Sequence, residues 1–202
     1  MRESHSSAAP KSPLDEPAGA FQNALVQSRL LLVLVAILTV DAVLGLLLYL
    51  HWRNHHFDAD IKAAARRYGV DPELVRAVVW QESRFNSQAR GRAGELGLMQ
   101  IRDLAAEDWA VAENIDPFDH VMCLDPRTNT LAGTWYLSRL IARYPHTDDP
   151  IVYALADYNA GRTHVLRWAK GPAETNSAAF LEAMTYPGTR KYITTILGRY
   201  RD

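Results

Sequence analysis

The chain predicts an all-α domain carried behind a single membrane-spanning helix. Residues 30–50 form one long apolar run, residues 58–202 carry repeated helix start and stop signals, and alternating strand patterns are nearly absent. No internal repeat is apparent.

Residues 1–28 are rich in Ser, Ala and Pro without sustained periodicity and are expected to form a disordered tail. The run that follows is broken only by Thr39, Asp41 and Gly45. At about 1.5 Å per residue it spans about 31 Å, close to the hydrocarbon thickness of a bilayer. A cleaved signal peptide would be shorter and followed by small residues. Here His51-Trp52-Arg53-Asn54-His55-His56 follows, so residues 29–51 are expected to be an uncleaved anchor. Trp52 and Arg53 suit an interfacial zone, and residues 52–57 read as a short linker. Asp41 near mid-membrane marks a candidate helix-partner contact. Arg2, Lys11 and Arg29 precede the span, and Arg53, Lys62, Arg66 and Arg67 follow it, so charge does not set the orientation. His51, His55 and His56 read as interfacial polar residues rather than a metal site.

The formal net charge of the 202 residues is -1, and no Lys/Arg-rich run occurs, which argues against a nucleic-acid partner. The single cysteine, Cys123, excludes an internal disulfide; between Met122 and Leu124 it reads as a buried thiol.

In the remaining domain a helix is expected over residues 58–68, ended by Gly69 as a C-cap. A second opens at Asp71, a good N-cap, with Pro72 at the first helical position and Glu73 at the positive end of the dipole. A Gly-punctuated loop over 91–97 leads to a helix from Leu98 to about Ala112. Asp125-Pro126 opens another, through Asn129 to about Tyr144. Pro150 starts one through Tyr158, with Gly161 near its end. Short helices are expected over about 163–169, 177–184 and 189–200.

Glu82 stands out in the second of these helices. At about 100° per residue, Val75, Val78 and Val79 project within roughly 60° of it, so the acid lies on the apolar face. Burial disfavours the charged form, and a carboxyl kept protonated near neutral pH can act as a general acid. A frayed helix end whose Glu reaches solvent is the competing reading of this segment alone.

Several stretches line up with Glu82-Ser83: Gly94-Glu95-Leu96-Gly97-Leu98-Met99-Gln100, then Asn129 with Gly133-Thr134-Trp135-Tyr136-Leu137, then Ala154-Leu155-Ala156-Asp157-Tyr158-Asn159-Ala160-Gly161, then Thr189-Arg190-Lys191-Tyr192-Ile193. Together, in order and across nearly all of residues 58–202, they resemble the soluble-type lytic transglycosylases, relatives of goose-type lysozyme. The resemblance implies a lysozyme-like helical fold and cleavage of peptidoglycan between N-acetylmuramic acid (MurNAc) and N-acetylglucosamine (GlcNAc). It implies that Glu82 is the sole catalytic carboxylate, first acid and then base, closing a 1,6-anhydro ring with help from the muramoyl N-acetyl group. Ser83, Met99, Gln100, Tyr158, Asn159 and Tyr192 fall at positions expected to bind substrate or shape the cleft, with Tyr158 and Tyr192 near the acid.

A typical glycosidase needs two carboxylates about 5 to 10 Å apart, and Glu95, Asp103 and Asp157 are the possible second acids. Asp157 points about 100° away from Tyr158 around its helix, so both cannot face a cleft equally. Trp135 and Tyr136, in an apolar helix, read as core. Arg102-Asp103 stands where many relatives have Met-Pro, Glu95 and Asp157 where Ala is frequent, and Gly188 where Glu is frequent. The expected enzyme is a single-pass protein of the bacterial inner membrane, with its catalytic domain in the periplasm acting on glycan strands. An envelope machine is a possible partner, and neither metal nor cofactor is indicated. The alternatives are a hydrolytic muramidase of the same fold or a non-catalytic glycan-binding or scaffold protein.

Overall fold

A computed structural model of the protein describes residues 17–201. Residues 1–16, most of the expected tail, lie outside the described residues. Among those described the chain is helical with no β-strand; isolated bridges pair Arg90 with Leu96 and Leu96 with Ile101. The chain divides into two compact units at Trp52/Arg53.

The first unit consists of helix α1, Pro17–His55, which crosses the division by three residues. It begins earlier than the expected anchor. Proline suits a first helical turn, and Gln22, Leu25 and Gln27 are good helix formers, so nothing local stops the helix before residue 29. At the other end it absorbs most of the expected linker. Leu30, Leu32, Leu34, Val40, Val43 and Leu48 are all more than half exposed, so the apolar surface runs around the helix rather than along one stripe. By length and composition α1 can cross a membrane.

The second unit holds α2 (Asp58–Tyr68), α3 (Pro72–Ser83), α4 (Asp103–Ala112), α5 (Pro126–Ile141), α6 (Pro150–Ala160), α7 (Arg162–Trp168), α8 (Ser177–Ala183) and α9 (Pro187–Arg201), with single 3₁₀ turns at His120–Leu124 and Gly171–Glu174. Several boundaries fall where local chemistry places them. Gly69 ends α2 in the left-handed region at φ 67°. The Asp71 carboxylate accepts the Glu73 N–H at 2.9 Å, and Asp125 accepts the Thr128 N–H at 2.9 Å. The helix expected from Leu98 instead starts at Asp103. Gln100 adopts φ 46°, and residues 97–101 form a turn closed by the Leu96–Ile101 bridge, which no α-helix can continue through.

The main core joins α3, α5, α6, α8 and α9 through residues such as Leu74, Val78, Leu137, Leu155, Phe180 and Ile196. A second cluster, with Ile101, Ala106, Trp109, Cys123 and Ala132, lies under α4 and the first 3₁₀ turn. Burial pushes the Cys123 thiol up to about 12, as an inert core thiol requires. α9 packs on α3, and the Arg84 and Arg199 guanidiniums both lie 3.1 Å from the centre of the Trp80 ring. That contact fixes α9 beside the C-terminal turn of α3, where Glu82 stands.

Candidate active site

A cleft of about 570 Å³ takes its lining from both core clusters: Glu82 from α3, Glu95 and Gln100 from the loop, Asp103 from α4, Tyr136 from α5, and Tyr158 and Asn159 from α6. This volume falls in the range of small-molecule sites.

Glu82 lies at the last turn of α3, on the face carrying Val75, Val78 and Val79, all fully buried. The helix starts where Asp71 caps it, so the cap also sets where the acid stands. The Tyr192 hydroxyl, from α9, donates to Glu82 Oε1 at 2.6 Å. Burial pushes the Glu82 carboxyl up to about 7, the Tyr192 hydrogen bond pulls it partly back, and the negative charge of Glu95 raises it further. Burial and proximity to Glu82 hold the Tyr158 and Tyr192 phenols well above their ordinary value, so both are neutral donors.

The 96–100 turn, here termed the floor turn, contributes Gln100 to the cleft lining, and one side chain fastens it. Asn129, 1% exposed, donates through Nδ2 to Leu96 O at 2.8 Å and Cys123 O at 2.6 Å, and its Oδ1 accepts the Met99 N–H at 2.7 Å. Gly97 stands against it at φ 74°; a Cβ there would lie 2.2 Å from Asn129 Nδ2 and 2.3 Å from Cys123 O. The Tyr158 hydroxyl donates to Met99 O at 2.7 Å, tying α6 to the same turn.

Of the expected site residues, Glu82, Gln100, Tyr158 and Asn159 line the cleft. Gln100 spends Nε2 on Ala89 O and Gly97 O, at 3.2 and 3.0 Å, which leaves Oε1 as its unspent acceptor. Asn159 Oδ1 accepts from the Thr189 hydroxyl at 2.8 Å. Tyr192, 6% exposed, stands behind Glu82. Ser83 and Met99 are buried outside the lining: Ser83 Oγ donates to Val79 O at 3.1 Å, and Met99, 0% exposed, meets the turn only through its backbone groups and packs on Gly133.

Tyr136, read from the sequence as core, lines the cleft with its ring centre 5.4 Å from that of Tyr158. Its apolar neighbours in α5 disguised it. Asn129 stands among Arg127, Thr128 and Thr130 in the first turn of α5, so polarity alone did not set it apart. Asp157 does line the cleft but is 2% exposed, held by Arg143 Nη1 at 2.6 Å and the Tyr144 hydroxyl at 2.7 Å. Its charge is already paired, which leaves Glu95, Asp103 and Asp108 as the other carboxylates in the lining.

The family model described as "Transglycosylase SLT domain" matches residues 59–181. The chain belongs to the SLT transglycosylase family. The match runs from α2 into α8 and so contains the acid, the floor turn and the Tyr158-Asn159 wall, while Tyr192 lies beyond it. The SLT domain is similar to the "membrane-bound lytic murein transglycosylase F" of Desulfosudis oleivorans, at 35% identity over 119 residues, covering 57% of this chain and 24% of that one. Among solved structures it is similar to an inactive mutant of the lytic transglycosylase Slt from Pseudomonas aeruginosa (TM-score 0.63, 27% identity, 70% of this chain and 23% of that one). The 70 kDa soluble lytic transglycosylase of Escherichia coli gives a TM-score of 0.59 at 27% identity, over 69% of this chain and 23% of that one. The chain thus spans about a quarter of the length of these relatives.

Proposed function

We propose that residues 58–202 form a peptidoglycan lytic transglycosylase domain, held at the bacterial inner membrane by the helix through residues 30–50 and facing the periplasm. The names of the similar proteins and the family match support the reaction class. The observation that carries the mechanism is the Tyr192–Glu82 hydrogen bond within a cleft where burial pushes the acid up to about 7.

Glu82 enters the reaction protonated. Tyr192 occupies Oε1, so the proton sits on Oε2 and is donated from there to the glycosidic oxygen. The bond from that oxygen to muramoyl C1 breaks, and GlcNAc leaves with the proton as its 4-hydroxyl. The resulting Glu82 carboxylate takes the proton of the muramoyl C6 hydroxyl, and O6 bonds to C1 to close the 1,6-anhydro ring. No water is consumed, and the acid ends as it began. The muramoyl N-acetyl group supports the oxocarbenium-like intermediate, a task for which Asp157 is unsuited because Arg143 and Tyr144 already hold it. The Gln100 acceptor and the Tyr136–Tyr158 ring pair suit sugar hydroxyls and sugar faces.

Mass spectrometry of muropeptides released by the full chain tests this reading. Anhydromuramoyl ends are expected, and Glu82→Gln reduces their release by about a thousandfold or more. Reducing ends formed by water uptake would assign a hydrolytic muramidase instead, and full activity in Glu82→Gln would remove the acid from the mechanism.

A further inference from the structure

We propose that Glu95 is a positioning residue: a carboxylate fastened in the Glu82 cleft by the 91–95 loop, whose negative charge keeps the proton on Glu82 until substrate arrives. The inference rests on the reading of Glu82 as the general acid.

The loop is built around this side chain. The Gly91 N–H donates to Glu95 O at 2.7 Å, the Gly94 N–H donates to Gly91 O at 3.3 Å, and the Ala93 N–H donates to Glu95 Oε2 at 2.9 Å. Glu95 lies across Gly91, where a Cβ would come within 2.1 Å of Oε2 and 2.9 Å of the Glu95 Cβ and Cδ. A side chain with one carboxylate oxygen on a backbone amide, and no room to fold back, has lost the freedom of an ordinary surface glutamate. It lines the same cleft as Glu82.

The other groups around the acid do not do this work. Tyr192 from α9 and Tyr158 from α6 are neutral, and Tyr192 favours the charged form of Glu82. Asp157 is paired with Arg143, and Asp103 lies 3.6 Å from His120 Nδ1. Arg102 and Asp108 complete the charged lining, and Glu95 is the charge that adds to burial in raising Glu82. A single carboxyl that must give up a proton and recover it gains most from a value close to the working pH.

The test is carbon-13 NMR titration of the Glu82 carboxyl in the full chain, in detergent, alongside the pH profile of muropeptide release. Glu95→Gln keeps an oxygen for the Ala93 N–H and removes the charge. It is expected to lower the Glu82 titration midpoint by roughly half a pH unit or more. The alkaline limb of turnover moves down by the same amount, with KM unchanged. Gly91→Ala pushes the charged side chain aside and gives a smaller shift in the same direction, and adding it to Glu95→Gln gives no further shift. A Glu82 midpoint unmoved by Glu95→Gln overturns the proposal, as does a change confined to KM, which would make Glu95 a substrate contact. A shifted midpoint in a protein without lytic activity upholds the coupling while sinking the proposed reaction.

Discussion

Tyr192 and Glu82 are 110 positions apart in the chain and joined by a hydrogen bond of 2.6 Å. The phenol acts on the acid in two ways: it occupies Oε1, and it favours the ionised carboxylate, so it limits how far burial can raise Glu82. Tyr192→Phe is therefore expected to move the Glu82 midpoint above about 7 and to shift the alkaline limb of the pH–rate profile upward. Turnover at the optimum should fall about tenfold, equivalent to about 1.4 kcal/mol. An unmoved limb would show that the two groups are not coupled in solution.

The same acid makes folding sensitive to pH. Its folded value of about 7 lies above its ordinary 4.5, so the folded chain holds the proton more tightly than the unfolded chain. Stability from this group is fully present below about 4.5 and is lost as pH rises through about 7. The loss is on the order of 3 kcal/mol. Glu82→Gln should match the parent near pH 4 and exceed it by roughly 2–3 kcal/mol at pH 8, as read by urea denaturation at each pH. Parallel stability curves for the two proteins would mean that the carboxyl is solvated.

Asn129→Ala removes three hydrogen bonds, two to the floor turn and one to Cys123 O, and leaves two carbonyls and an N–H buried without that partner. A loss of about 2–4 kcal/mol in stability is expected. Hydrogen exchange of the Met99 amide should accelerate more than that of the α9 amides. Uniform acceleration across the domain would mean that the turn has no identity separate from the rest of the core.

Asp157 and Arg143 form a pair with one buried member and one partly exposed member, at 2% and 35% side-chain exposure. Removing either alone exposes the other's desolvation cost, so the single alanine variants should each destabilise by about 1–3 kcal/mol, discounted for solvent at Arg143. The double variant should lose at least about 1 kcal/mol less than the sum. Additive losses would show that Tyr144 alone satisfies Asp157.

Much of this was legible from local chemistry. Asp71-Pro72, Gly69 and Asp125-Pro126 set helix boundaries through groups within four residues, and helical periodicity put Glu82 on the apolar face while leaving a frayed, solvent-reaching helix end as the alternative. The apolar run of α1 was equally plain. What was not legible depended on distant partners or rare backbone. Gln100 and Arg84 adopt left-handed conformations that their residue types do not announce, and the first moved the start of α4 by five residues, from Leu98 to Asp103. Tyr136 lines the cleft beside Tyr158, a partner on α6 that its own helix does not announce. The Arg143–Asp157 pair crosses from the turn after α5 to α6, and nothing in the sequence around Asp157 marks that partner.

The Asn129 clamp has a further consequence. One amide from α5 answers the backbone on both sides of the floor turn, and the Tyr158 hydroxyl adds a hold from α6. The exposed loop tip at Arg92 carries none of these hydrogen bonds. A change of side chain at that tip can suit different glycans while the acid and its footing stay where they are.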